Sequence, residues 1–278
     1  MSNRSTPTTR SALQKVPGKI RRSLDRRGGR WILGAGVTVI SVLIDRRPAW
    51  VRWNGLEWSY RDKGLTLLSN QLLRPRLFDE DLEIFLWDYT PSLGDVVVDI
   101  GAGTGTESVA IAKAVGPAGR VIAVEAHPDT AAVLKRAGKA NGLTNITVVI
   151  AAAADRPGTL NISDSADIGT NTVLAEGVIG VEAITIDDLI VSEELDHIDF
   201  LKMNIEGAER LAIAGMDNTV DRIGRMAISC HDFLGTPWGT SRELVQTWLV
   251  SHGFEVKSRP EDPRPWARDY LYASRTKA

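Results

Sequence analysis

The most constraining feature of the sequence is a glycine-rich segment between an apolar run and a helix-forming stretch. Residues Val96-Val-Val-Asp-Ile100 form an apolar run of the kind that is buried in parallel sheets. The run leads into Gly101-Ala-Gly-Thr-Gly105, and a helix is predicted from there to about Ala114. A second apolar run follows from Arg120 to Glu125. This order predicts a βαβ unit, in which a crossover helix joins two parallel strands.

The loop and the acid after the second strand predict an adenosyl ligand. Glycines at this place let a ligand approach the backbone, and the N–H groups at a helix start bind polar groups. Glu125 ends the second strand, where an acid can accept hydrogen bonds from both ribose hydroxyls. NAD, FAD and S-adenosylmethionine (SAM) sites all use such loops. Thr106 replaces the third glycine of a dinucleotide fingerprint, and Asp99 precedes the first glycine by two residues, which favours SAM. An NAD-dependent oxidoreductase remains a third-ranked alternative.

Three segments resemble those of the FkbM-type SAM-dependent methyltransferases. They are Val98–Gly105, Ala151–Leu160, and Thr185–Leu189 followed by Ile198–Glu209. The last segment is the most specific, because the family has a strand reading Asp-hydrophobic-hydrophobic-Lys followed by x-Asp-x-Glu-Gly-x-Glu. The matching positions here are Asp199, Lys202, Glu206, Gly207 and Glu209. The resemblance covers about residues 50–275 and implies a SAM-dependent methyltransferase.

The implied fold is the α/β class I methyltransferase fold, a Rossmann-like, mostly parallel sheet of seven strands. Predicted strands at 253–258 and 269–274 supply its antiparallel edge pair. We divide the chain into a basic N-terminal arm with a short apolar helix (1–47), a hairpin and helix cap (48–90), and the methyltransferase domain (91–278). In the cap, Asn54-Gly55 predicts a two-residue type I′ hairpin. Trp50 and Trp58 are the expected cross-strand pair, and the apolar spacing predicts a helix over 77–89.

The predicted cofactor-binding residues follow the strands of the sheet, because ligands of open α/β sheets bind at the carboxyl ends of strands. A third strand is predicted at 145–150, and the segment 151–155 follows it and ends at Asp155, just before a predicted turn at 156–158. That acid is placed to meet an adenine edge, although a solvated turn acid explains it equally well. The predicted set is Asp99, Gly101, Ala102, Gly103, Thr104, Gly105, Glu125, Ala126, Ala154, Asp155 and Asn204.

The predicted catalytic residues are His231, Glu206 and Asn204. The resemblance implies O-methylation of a hydroxyl on a sugar, glycolipid or secondary metabolite, and a hydroxyl must lose its proton. His231 is the first candidate for the base, because a histidine pKa lies near 6.5. Its alternative is a structural histidine. Glu206 is predicted to bind substrate or assist the base, or else to stabilise a helix N-terminus.

Asn204 departs from the family pattern, which has Asp at this position. Asparagine cannot accept a proton as a general base, and it is a weaker ligand for a hard cation than a carboxylate. A catalytically impaired SAM-binding or regulatory protein on the same fold is therefore the second hypothesis. No metal site is predicted, because the chain has only four His and one Cys. Cys230 is predicted to be a packed strand residue, and Lys202 is predicted to pair with an acid.

Charge is distributed unevenly along the chain. Residues 1–47 carry eleven Lys and Arg against two Asp, whereas the remaining 231 residues carry 22 Lys and Arg against 33 acids. Because the basic charge lies on the arm and not across the body, we expect no nucleic-acid partner. The family resemblance implies a small-molecule or glycan acceptor as the partner. Residues 31–44 are uncharged but too short for a span of about 20 residues. They predict a helix packed on the body or a peripheral membrane anchor, with a cleaved export signal as the third alternative.

The single cysteine rules out an intrachain disulfide and favours a reducing compartment. The expected location is therefore the cytoplasm, with peripheral contact at the inner face of the membrane as the alternative.

Overall fold

The computed structural model describes residues 27–163, 179–236 and 239–275. Within these ranges, two 3₁₀ turns, Val220–Arg222 and Asp232–Leu234, accompany the α-helices and β-strands. In chain order these are α1 (Arg27–Leu43), β1 (Trp50–Trp53), β2 (Trp58–Asp62), β3 (Leu65–Ser69), α2 (Arg76–Phe85), β4 (Val96–Ile100), α3 (Thr106–Val115), β5 (Arg120–Val124), α4 (Pro128–Ala140), β6 (Ile146–Val149), β7 (Ala152–Ala153), β8 (Gly158–Ile162), β9 (Ile179–Ile184), α5 (Ile186–Ser192), β10 (Phe200–Met203), α6 (Glu209–Ala214), β11 (Arg225–Ser229), α7 (Arg242–Ser251), β12 (Glu255–Lys257), α8 (Pro265–Arg268) and β13 (Tyr270–Ser274).

The central sheet has the strand order β12-β13-β11-β10-β4-β5-β6. Strands β11, β10, β4, β5 and β6 are parallel neighbours, whereas β13 runs antiparallel to both β11 and β12. The predicted seven-stranded, mostly parallel sheet with an antiparallel edge pair is confirmed. Its carboxyl edge therefore brings together the loops that follow β4, β5, β10 and β11.

Burial on both faces explains why the central strands are continuous apolar runs. Val97, Val98 and Ile100 of β4 are all buried, and so is every residue of β10. Helices on both sides of the sheet remove these side chains from water. The strands therefore form a rigid base on which the loops at the carboxyl edge are held.

The predicted turn in the N-terminal cap is wrong. Trp53 pairs with Trp58, so residues 54–57 form a four-residue loop. The side-chain oxygen of Asn54 accepts the N–H groups of Leu56 and Glu57, and Asn54 keeps a negative φ. This side-chain turn replaces the type I′ geometry, which needs positive φ at both central residues.

The predicted tryptophan pair is also wrong, because Trp50 lies opposite Arg61 in the register. The true pair is Trp53 with Trp58, whose ring centroids are 5.4 Å apart in a T-shaped arrangement. The two-residue turn occurs later, at Lys63-Gly64, where φ is 47° and 74°. It adds the strand β3, which the sequence analysis did not predict.

One helix and one small sheet differ from the predictions. The helix expected over 77–89 is present as α2 but ends at Phe85. A small sheet of order β7-β9-β8 follows β6 and was not predicted. It is joined to the turn before Asp155, because the Ala154 N–H donates to the Ile184 carbonyl over 2.8 Å. The three predicted segment boundaries remain predictions.

Helix α1 covers the free edge of β1. The Thr38 hydroxyl accepts the Val51 N–H over 2.9 Å, and the Ser41 hydroxyl donates to the Ala49 carbonyl over 3.1 Å. Gly34 permits this approach, because a Cβ there would lie 2.8 Å from the Val51 oxygen. Within the described residues, no helix is long and apolar enough to cross a membrane. One face of α1 is thus fixed to the body, as expected if residues 31–44 form a helix that packs on it.

Candidate active site

The three glycines after β4 serve different purposes in the loop. All adopt left-handed backbone, with φ of 76° at Gly101, 58° at Gly103 and 82° at Gly105. A Cβ on Gly101 would lie 2.1 Å from the Asn204 oxygen, and one on Gly105 would lie 2.5 Å from Leu134. A Cβ on Gly103 would meet no described atom within 4 Å. Gly101 and Gly105 are therefore needed for packing, whereas Gly103 faces open space through which a ligand can approach the backbone.

Glu125 is held at the entrance of this loop. Its two carboxylate oxygens accept the N–H groups of Gly103 and His127, each over 2.8 Å. Burial raises the pKa of Glu125, and the two backbone hydrogen bonds oppose that rise. Each oxygen keeps a second lone pair, so the carboxylate can still accept from the hydroxyls of a ribose. The structure thus places Glu125 against the glycine loop, where the sequence predicts it.

Asp99 does not have the role that the sequence analysis gives it. Its side chain is completely buried, one oxygen lies 2.8 Å from the Lys202 ammonium, and the other accepts the Ser108 hydroxyl over 2.5 Å. The same ammonium donates to the Gly101 carbonyl over 2.8 Å. Asp99 therefore helps to hold the glycine loop in place through Lys202. Its side chain is too deeply buried to contact a cofactor directly. The predicted pairing of Lys202 with an acid is confirmed.

Burial changes how the other predicted cofactor residues can act. Ala102 packs into a small core with Leu134, so only its backbone can face a ligand. Ala154 is also buried, whereas Thr104 and Ala126 are half-buried. Asp155 lies in an exposed turn, and its carboxylate is 3.7 Å from Arg156. Its contact with an adenine remains a prediction.

The segment after β10 carries a strained acid. Asn204 continues the strand with a hydrogen bond from its N–H to the Ile100 carbonyl, and its own carbonyl lies against Gly101. Glu206 has φ of +54°, a left-handed conformation that few side chains adopt. Strain of this kind persists where the surroundings enforce it and is concentrated at functional sites. The turn places Glu206 beside the glycine loop rather than in the following helix.

His231 is enclosed by two glutamates. Its Nδ1 lies 3.0 Å from Glu209 Oε1, and its Nε2 lies 3.5 Å from Glu206 Oε2. Side-chain exposure is 3% for His231 and 0% for Glu209 but 24% for Glu206. Burial alone would lower the pKa of His231, but the interactions with Glu209, Glu206 and Asp269 outweigh it and raise the pKa. The raised pKa favours the charged imidazole over the neutral form that a general base needs. The role of His231 as the base stays a prediction.

Glu209 is a site residue whose role the sequence analysis missed, and Glu107 lies in the first turn of α3, directly after the glycine loop. Glu209 also accepts the N–H of Gly207, over 3.3 Å, and so supports the strained turn. Burial, opposed by Lys202 and reinforced by Asp81 and Asp99, raises the pKa of Glu107 to about 7. The only sequence signals were a motif position for Glu209 and a helix start directly after Gly105 for Glu107.

Cys230 and possible metal ligands complete the description of this edge. Burial raises the pKa of the Cys230 thiol, and the residue is fully buried in the main core, which confirms its prediction as a packed residue. In the ranges that the structure describes, no group of three or more His, Cys, Asp or Glu side chains is arranged to hold a metal ion.

A family model decides the identity of the chain. The methyltransferase FkbM domain matches residues 99–256, which is more than half of the sequence. The chain belongs to the FkbM methyltransferase family. The match spans the glycine loop, Glu125 and the Glu206–His231 cluster. It confirms the resemblance drawn from the sequence, and SAM is the cofactor of this methyltransferase.

Several solved structures are similar to this FkbM protein. They include a SAM-dependent O-methyltransferase from Thermotoga maritima, with 18% identity, coverage of 76% of this chain and 68% of that chain, and a TM-score of 0.42. Aeropyrum pernix fibrillarin with bound SAM has 14% identity, coverage of 78% and 93%, and a TM-score of 0.44. Cofactor-bound Rv0187 from MTB has 12% identity, coverage of 74% and 82%, and a TM-score of 0.48. Comparison with curated proteins finds no match.

The observed residues fit SAM. The open space above Gly103 gives room beside the backbone, and Glu125 offers carboxylate lone pairs next to it. The loop therefore has both features expected of an adenosyl site, a close approach to the backbone and an acid for the ribose.

Substitution of the glycines should separate packing from cofactor binding. Gly101→Ala should destabilise the fold by roughly 2 kcal/mol or more, because its Cβ would meet the Asn204 backbone. Gly103→Ala should cost only about 1–2 kcal/mol of left-handed strain but should weaken SAM binding. Urea unfolding and calorimetric SAM titration measure the two effects. Equal SAM affinity in Gly103→Ala and wild type would contradict the assignment of the open space.

Stability should depend on pH through His231. Since the folded pKa is raised, the stabilisation is complete below the unfolded value near 6.5 and is lost as pH rises through the folded pKa. The size of the loss measures the difference between the folded and unfolded pKa, at about 1.4 kcal/mol per pKa unit. His231→Gln should remove this fall in urea unfolding across that range. His197→Asn, a change at a histidine with 65% side-chain exposure, should retain it; a fall that persists in His231→Gln would refute the raised pKa.

Proposed function

We propose that this FkbM protein is an O-methyltransferase whose acceptor is a hydroxyl of a sugar, glycolipid or secondary metabolite. The observation that carries the proposal is the row of Glu206, His231 and Glu209, which follows the Asn204–Ile205 segment packed on Gly101. Methylation of a hydroxyl requires removal of its proton, whereas a neutral amine offers its lone pair without that step. The carboxylate of Glu206, the most exposed of the three side chains, would be the proton acceptor that a hydroxyl needs.

In the proposed mechanism, Glu206 receives the proton of the acceptor. It is the most exposed of the three side chains, and its position is set by the strained turn and by His231 behind it. Glu209, fully buried, holds the other side of the imidazole. Protonated His231 thus orients Glu206 and keeps it from turning away, which makes His231 and Glu209 positioning residues.

The cofactor would lie along the glycine loop, with its ribose at Glu125 and another part close to the backbone of Gly103. When bound, SAM supplies a methyl group on a positively charged sulfonium, so the C–O bond forms as the S–C bond breaks. The chain's own task is to align the acceptor oxygen with that methyl and to take its proton. Asn204 would lie between the glycine loop and Glu206. There its side-chain amide could donate a hydrogen bond to SAM or to the acceptor.

Product analysis tests the proposal. The protein is incubated with a cell lysate and SAM carrying a labelled methyl group, and the labelled product is purified and its methyl linkage identified by mass spectrometry. We expect a methyl ether. A labelled methylamine or thioether would contradict O-methylation.

Asn204 supports one competing function, a SAM-binding protein without transfer activity. That protein would bind SAM in calorimetry but label nothing in the lysate. The Asn204→Asp variant restores the family residue, and labelling that appears only in this variant would favour the competing function.

A further inference from the structure

The outer side of α1 is an unusual surface for a protein in water. Six large apolar side chains on this side of α1 or directly after it are exposed, with between 47% and 72% of their area open to solvent. We define the α1 face by Trp31, Ile32, Val39, Val42, Leu43 and Ile44. Sequence positions 31–44 contain no charged residue. Scattered apolar residues are ordinary on surfaces, but a contiguous apolar face marks an interaction site.

The opposite side of α1 packs against the body of the protein. Val37 and Ser41 are buried, and the Thr38 and Ser41 hydroxyls satisfy the edge of β1. This attachment fixes which side of the helix faces outward. The α1 face is thus presented by a helix that lies along the body, and none of its exposed side chains is required to satisfy the β1 edge.

The charge around the α1 face selects its partner. Residues 1–47 carry eleven Lys and Arg against two Asp, and one of these acids, Asp45, forms an ion pair with Arg74. Two exposed arginines follow the helix, Arg46 three residues after its end and Arg52 in the adjoining strand β1. The remaining 231 residues carry an excess of eleven acids. An apolar face with a basic border is complementary to an anionic lipid surface, which attracts Lys and Arg and accepts apolar side chains at its boundary.

We propose that the α1 face docks on a bilayer that contains anionic phospholipid. The uncharged run of 14 residues would be about 21 Å long as a helix, short of the roughly 30 Å hydrocarbon core. One side of it is also fixed to β1, so the helix lies in the interface rather than across it. A second copy of this chain is a poorer occupant, because a symmetric contact would bring two strongly basic segments together.

Vesicle sedimentation tests the proposal with the full chain. We expect binding to vesicles containing phosphatidylglycerol, weak binding to pure phosphatidylcholine vesicles, and weaker binding at high salt. The double variant Ile32→Glu, Leu43→Glu should bind at least about tenfold less. Its matched control, Leu93→Glu with Val191→Glu, changes two exposed apolar residues elsewhere and should bind as the wild type does. Equal vesicle binding by the α1 variant and the control would overturn the proposal.

Two further measurements distinguish other possible occupants of the α1 face. Light scattering would reveal a dimer that the Ile32→Glu, Leu43→Glu variant converts to a monomer, which would assign the α1 face to a second copy. A lower Tm of that variant, with unchanged vesicle binding, would assign the face to another segment of the same chain. Either result overturns the proposal, whereas unchanged mass and Tm with lost vesicle binding support it.

Discussion

Replacing Glu206 by glutamine should lower kcat at least about 100-fold, because positioned general bases contribute roughly 10²–10⁴-fold. Glutamine keeps the shape of the side chain but cannot accept the acceptor's proton. SAM affinity should change little, since Glu125 and the Gly103 backbone carry the proposed cofactor contacts. Single-turnover transfer to the acceptor fraction purified from the lysate measures the first effect, and calorimetry measures the second.

Glu255→Gln is the matched control for Glu206→Gln, because Glu255 is exposed on the edge strand β12. It should retain wild-type kcat. Glu209→Gln should act indirectly, by removing the partner that helps keep His231 protonated. Its expected signature is a shift of the alkaline limb of the kcat–pH profile to lower pH. If Glu206→Gln retains kcat, Glu206 is not the proton acceptor.

Lys202→Met should destabilise the protein by about 3–5 kcal/mol, the usual cost of removing one partner from a buried ion pair. Lys202 and Asp99 are 2% and 0% exposed. Burial alone would lower the pKa of Lys202, but Asp99 and Glu107 outweigh it and raise the pKa, so the ammonium is charged. Removing it leaves Asp99 without a counter-ion and the Gly101 carbonyl without its donor. Urea unfolding measures the loss.

Two controls make the Lys202 result specific. Lys257 forms a surface ion pair with Asp88 at 3.1 Å and is 42% exposed, so Lys257→Met should cost less than about 1 kcal/mol. Adding Asp99→Asn to Lys202→Met should recover part of the loss, because no buried charge would remain. A double variant less stable than Lys202→Met alone would show that the ion pair is not the source of the effect.

Much of the fold follows from local patterns in the sequence. The apolar run of β4, the glycines after it and the apolar run of β5 each require one kind of structure, so the βαβ unit is predictable. The hairpin fails for a local reason, because Asn54 can use its side chain to form a turn instead of adopting positive φ. Asn-Gly alone does not distinguish the two turns.

The site depends on sheet order, which local patterns do not specify. Lys202 lies directly opposite Asp99 in the register of β10 and β4, and that pairing turns a predicted cofactor ligand into a buried structural acid. His231 meets Glu206 and Glu209 because β10 and β11 are neighbours. The sequence identifies the residues at the strand ends. Only the three-dimensional arrangement shows that His231 is held between two carboxylates, and this is the basis for proposing it as a positioning residue.

The central claim is that the loop after β4 and Glu125 form the SAM site. Calorimetric titration of wild type and Glu125→Gln with SAM tests it most directly, with Glu255→Gln as the control. We expect wild type and Glu255→Gln to bind SAM equally and Glu125→Gln to bind at least about tenfold more weakly, since the ribose loses a charged hydrogen-bond acceptor. Undiminished SAM binding by a folded Glu125→Gln protein, or no binding by wild type, would contradict the account.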